Sequence, residues 1–115
     1  MRMPELTDLI WLFEDPPTPM EPDLSWPWGL HTFRLTRGSR SVSFSLDPQA
    51  GEAYLMLYES DELLLSLGRL RTLSHLTVEK DALILHFAQD DLAPLTLRTH
   101  PVPSVTWPVR PAGSR

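Results

Sequence analysis

A chain of 115 residues can bury one hydrophobic core but not two ordinary ones, so a single β domain spanning residues 1–115 is expected. With 42% hydrophobic and 22% charged residues, the composition excludes a chain that is disordered throughout. A net charge of −5 argues against nucleic acid as a partner, and the lack of cysteine excludes disulfides, thiol catalysis and thiolate metal sites.

The N-terminal residues admit two readings. Leu6, Leu9, Ile10 and Phe13 have helical spacing, yet Leu9 to Phe13 is also a continuous apolar run of strand length, and the strand is the reading adopted. Glu5 and Asp8 precede that run, which is shorter than the about 7–15 apolar residues of a secretory leader. No stretch reaches the roughly 18 apolar residues of a membrane span, so a cytoplasmic protein without membrane contact is expected. Residues 14–29 form a Pro/Trp-rich extended segment, with Trp26-Pro27-Trp28 at its end.

Residues 31–46 carry the clearest pattern, with His31, Phe33 and Leu35, then Val42, Phe44 and Leu46, alternating with polar residues. Gly38-Ser39 suits a two-residue turn because glycine accepts a positive φ at its first central position. That turn sets Phe33 opposite Phe44, Leu35 opposite Val42, Arg34 opposite Ser43 and Thr36 opposite Ser41. A second hairpin runs from about Ala53–Tyr58 to Leu63–Leu67. Counted outward from a Ser60-Asp61 turn, Tyr54, Met56, Tyr58, Leu63, Leu65 and Leu67 share one face while Leu55, Leu57 and Leu64 occupy the other. Both faces are then apolar, which implies cover on two sides or a face left open for a partner.

A third hairpin, about Leu73–Glu79 and Leu83–Phe87, pairs Leu76 with Leu85, Val78 with Leu83 and His75 with His86. Leu95 and Leu97 mark a further short strand. Val105, Trp107 and Val109 alternate in a Pro-rich stretch fit only for a sheet edge, and residues 110–115 read as a flexible tail. The expected fold is all-β, an antiparallel meander of about seven to nine short strands closed into a small barrel or folded into a sandwich.

No catalytic constellation is visible, so an enzyme is not expected and no cofactor is required. His75 and His86 are the metal candidates, with Asp90 or Asp91 nearby, although a plain surface pair is the simpler account and no metal is assigned. Trp26 and Trp28 flank a proline and can form a stacking platform, or else fold back as a lid over the sheet. The acidic residues at 14–15, 21, 23 and 90–91 match no calcium loop. Ser41, Ser43 and Ser45 lack a nucleophile elbow. Arg34, Arg37 and Arg40 make the first hairpin tip basic. The functional expectation is a non-catalytic protein-interaction module with a protein partner or a second copy of itself. The alternative is a β domain holding a small ligand or carbohydrate in a barrel mouth or on Trp26 and Trp28. The binding-surface candidates are Trp26, Trp28, Tyr54, Met56 and Tyr58.

Overall fold

The first element corrects the sequence reading. In the structure, a computed structural model that describes residues 1–108, Leu6–Phe13 is an α-helix (α1) and not a strand. Helical spacing buries Leu9, Leu12 and Phe13 together and leaves Trp11 66% exposed, whereas a strand would have divided these side chains between opposite faces. Glu14, at φ 65°, ends the helix in the left-handed conformation, its N–H bonded to the Ile10 carbonyl. Phe13 stacks on Phe33 at 5.2 Å and on Phe44 at 6.1 Å, so the helix supplies core to the sheet beside it.

Within residues 14–29, the segment read as extended, Thr18–Pro19 makes a two-residue strand (β1). It pairs with His31–Arg37 (β2), which pairs in turn with Arg40–Asp47 (β3). All four cross-strand pairs expected for the first hairpin are present, and Gly38 carries the positive φ of the turn, 61°. The inward row of Phe33, Leu35, Val42, Phe44 and Leu46 is buried.

The second hairpin, Glu52–Glu59 (β4) and Glu62–Leu70 (β5), departs from the expected register. Tyr58 faces Leu63 as counted from the turn, but an irregularity at Leu64 then sets Leu57 opposite Leu65 and Leu55 opposite Leu67. A bulge inserts one residue, and a shift of one residue sends the side chains that follow to the opposite face, until a second irregularity beyond Leu67 sets Leu70 opposite Ala53. Leu65 and Leu67 therefore pack against the core rather than beside Tyr54 and Met56. This hairpin is not covered on two sides at the centre of a sheet, because β5 forms one edge of the five-stranded sheet β1-β2-β3-β4-β5.

Leu73–Glu79 (β6), Ala82–Phe87 (β7), Leu95–Arg98 (β8) and Ser104–Thr106 (β9) form the second sheet, in that order. Its first hairpin keeps the expected pairs, His75 with His86 included. The Pro-flanked β9 lies at an edge, where prolines on either side of a short strand interrupt no ladder. At the other edge Arg2 bridges to His75, and its carbonyl accepts the Leu76 N–H at 3.0 Å. Val109 and the tail at 110–115 lie outside the described residues.

The described residues thus contain nine strands in two antiparallel sheets, a sandwich rather than a closed barrel. One buried cluster draws on both: Phe33, Phe44 and Leu55 from the first, Leu76, Leu83, Leu85 and Leu97 from the second, with Leu9, Leu12 and Phe13 from α1. No helix among the described residues is long and apolar enough to cross a membrane.

Candidate functional site

The outer face of the five-stranded sheet brings together most of the candidate surface. Because successive side chains on a strand alternate, the residues opposite the core row form three cross-strand lines. These are Thr32, Ser45 and Tyr54; then Arg34, Ser43, Met56 and Ser66; then Thr36, Ser41, Tyr58 and Leu63. Tyr54, Met56 and Tyr58 stand as a ridge along β4, with the short serines of β3 beside them. The step between ridge and serines leaves a shallow groove of about 240 Å³, lined by Arg34, Thr36, Ser41, Ser43, Met56 and Tyr58.

Local contacts fix the ridge. The Tyr58 hydroxyl donates to Met56 Sδ at 3.4 Å, and Arg69 Nε donates to the Tyr54 hydroxyl at 3.2 Å. The Tyr54 ring lies across Gly68, where an added Cβ would come within 2.8 Å of Cδ2. A glycine in the edge strand is what lets the ring lie down there. At the β4–β5 turn Leu63 and Leu64 are 50% and 49% exposed, which extends the apolar ridge to the sheet edge.

The tryptophan pair is divided. Trp26 turns inward and meets His31 and Phe33 edge-on, at 5.5 and 5.6 Å, and so acts as the lid considered from the sequence. Trp28 remains 58% exposed, so the two indoles do not make a shared stacking platform. His31 is buried and its Nε2 bonds the Trp28 carbonyl at 2.8 Å; Gln49 holds the Pro27 carbonyl at 2.6 Å. Between this segment and Tyr54 lies a further depression of about 290 Å³, bordered by Met20, Leu30, Glu21 and Asp47.

His75 and His86 do meet, as stacked rings 4.1 Å apart at their centroids and 6° from parallel. Stacked imidazoles direct their in-plane lone pairs side by side, not toward one point where a metal could sit. Each also has a ring nitrogen engaged, His75 Nδ1 with Ser74 Oγ at 2.6 Å and His86 Nε2 with Thr77 Oγ1 at 3.1 Å. Neither Asp90 nor Asp91 completes a set, since no three metal-ligating side chains converge among the described residues. Burial, and then the neighbouring His75, lower the pKa of His86, with Glu79 opposing.

The basic hairpin tip is largely committed within the molecule. Arg37 pairs with Glu14 at 2.6 Å and reaches His100 at 2.5 Å, while Arg40 pairs with Glu59 at 2.9 Å and donates to the Pro103 carbonyl at 3.3 Å. Among the described residues Arg34 has no ion pair, and it lies in the groove. Residues 69–71, 87–92 and 107 also converge, on a cleft that sequence reasoning missed because no local pattern links three segments so far apart.

No family model and no curated protein matches the sequence. The fold is similar to that of a chain in a solved structure titled as a contact-dependent growth inhibition toxin–immunity protein complex from Klebsiella pneumoniae 342. The TM-score is 0.77 at 16% identity, over 91% of this chain and 93% of that one. At that identity the likeness is one of fold.

Proposed function

We propose that this chain is a non-catalytic module that binds a partner protein through the outer face of its five-stranded sheet, in the manner of an immunity protein holding its toxin. The observation that carries this reading is the ridge of Tyr54, Met56 and Tyr58, facing outward and continued to the sheet edge by Leu63 and Leu64. Aromatic and methionine side chains are enriched where proteins meet, and Tyr gives large contact area at low entropic cost. The barrel-mouth form of the small-ligand alternative needed Tyr54, Met56 and Tyr58 to line an interior, whereas they face away from a core filled by Phe33, Phe44 and Leu55. Likeness in fold to a chain of a toxin–immunity complex adds support. The net charge of −5 suits a partner with a basic rim, since complementary charge speeds encounter and excludes wrong partners.

Co-expression with the product of each flanking reading frame, followed by size-exclusion chromatography, tests the proposal. A stoichiometric complex with one of them is expected, and Tyr58→Asp should break it without unfolding the chain. A complex that survives Met56→Asp and Tyr58→Asp together would move the partner to another face. A chain that binds no such product would defeat the reading.

A further inference from the structure

Where β5 leaves the first sheet and β6 enters the second, the sandwich opens in a cleft of about 420 Å³. Phe87 and Trp107 form its floor, stacked at 5.5 Å and 24°, with Leu70 and Leu92 beside them. The Trp107 indole N–H donates to the Ala93 carbonyl at 2.8 Å, so its polar edge is satisfied and its remaining surface is apolar. Arg69 and Arg71 border the mouth.

The state of these two guanidiniums gives the cleft its chemistry. Each turns its Nε toward the Glu52 carboxylate, Arg69 at 3.3 Å and Arg71 at 4.0 Å, and Arg69 Nε also meets the Tyr54 hydroxyl. No hydrogen bond engages the terminal nitrogens of either group among the described residues, and the side chains are 47% and 64% exposed. One carboxylate thus orients two forks and leaves their donor ends free. The corner is held by Thr72, whose carbonyl accepts the Ala88 N–H at 2.8 Å and ties it to the end of β7. Two cations beside an apolar floor, in a chain of net charge −5, are a local reversal of the molecule's own charge.

A guanidinium fork matches a carboxylate, and a stacked aromatic floor matches an apolar side chain. We propose that this cleft binds the free C-terminus of a polypeptide ending in an apolar residue, with the terminal carboxylate at Arg69 and Arg71 and the last side chain on Phe87 and Trp107. The occupant is a chain end rather than a free small molecule because Arg69 and Arg71 at the mouth are themselves exposed, so a group held there keeps contact with solvent. Small ligands are usually held with most of their surface covered, whereas a chain end needs only its last residue seated. The cleft shares Arg69 with the outer sheet face, where its Nε bonds the Tyr54 hydroxyl, but the floor of Phe87 and Trp107 and the second cation, Arg71, belong to the cleft alone, so a variant at Arg71 tests it without touching the ridge.

The test uses the full chain and a hexapeptide ending in Leu-Phe, prepared as the free acid and as the C-terminal amide. The acid should shift the Trp107 indole N–H resonance and bind at least about tenfold tighter than the amide by calorimetry. Arg71→Gln, at an exposed site that leaves the fold intact, should bring the acid down to the level of the amide. Equal affinity of acid and amide, an unmoved Trp107 signal, or full binding by Arg71→Gln would each overturn the proposal. Phenylpropionate is the third arm, and if it bound as tightly as the peptide the chain-end assignment would be wrong.

Discussion

The hairpins β2–β3 and β4–β5 lie side by side in one sheet, turn on two residues each, and expose opposite kinds of surface. In the first, serine, threonine and arginine mark every outward position, so the inward row follows by alternation. In the second, Leu63, Leu64 and Leu65 run together and the outward row is Tyr54, Met56 and Tyr58. Alternation specifies register only where the two faces differ in polarity. Both hairpins give an inward row to the core, but only the ambiguous one presents an apolar outward row, the candidate binding ridge. Surfaces meant for a partner look like core in composition, which is why the same residues both obscure the register and suggest the function.

The largest expected effect tests the regular hairpin. Phe44, fully buried on β3 and stacked on Phe13 and Phe33, should cost about 3–5 kcal/mol when changed to alanine, read by denaturant unfolding. Next comes the bulge. Leu65→Asp and Leu67→Asp should each destabilise by at least about 2 kcal/mol more than Leu63→Asp or Leu64→Asp, since only the first two push charge against the core. The unbulged register demands much the same cost for Leu63, Leu65 and Leu67, so equal losses there would restore it.

Much of the fold was legible for the same reason. The registers of β2–β3 and β6–β7 needed only the turn position and period two, and the cross-strand meeting of His75 and His86 came with them. The helix at Leu6–Phe13 was misread because five consecutive apolar residues fit both periods, and the choice is made by Phe33 and Phe44, far along the chain. The bulge was hidden by a leucine run, although Ser66 and Gly68 mark outward positions once the count restarts at Leu65. Of the candidate surface, Tyr54, Met56 and Tyr58 were correctly set on one face, whereas Trp26 and Trp28 were divided by a contact with His31 that no spacing reveals. The cleft at Arg71 and Trp107 left no local signal at all.

The turns sharpen the comparison at a smaller scale. Gly38 and Ser60 occupy the same first position of their two-residue loops, with φ of 61° and 55°. An L side chain is disfavoured in that conformation by about 1–2 kcal/mol, part of which glycine loses again through its freer unfolded chain. Ser60→Gly should therefore stabilise by up to about 1 kcal/mol, and Gly38→Ala should destabilise by about 1 kcal/mol. No atom lies within 4 Å of a Cβ at Gly38, so any loss there is conformational rather than steric. If Gly38→Ala were neutral, turn chemistry would not be what sets the better-behaved hairpin apart.

The smallest effect concerns the junction of the two tips. Glu59, near the end of β4, accepts the Ser39 hydroxyl and the Arg40 guanidinium of the neighbouring hairpin, at 3.0 and 2.9 Å from Arg40 Nε and Nη2. The Ser39 hydrogen bond, and then Arg40, hold its carboxyl below the usual carboxylate range. A carboxylate with a depressed folded-state pKa adds stability above its unfolded value and loses it as pH falls through the folded one. The group is exposed, so solvent screens the interaction and the effect is slight. Denaturation midpoints followed from neutral pH into acid should show the wild-type chain losing slightly more than Glu59→Gln, with the two curves converging once the carboxyl is protonated. Parallel curves would mean that the two tips stand independently, and that the second hairpin takes its position from the sheet alone.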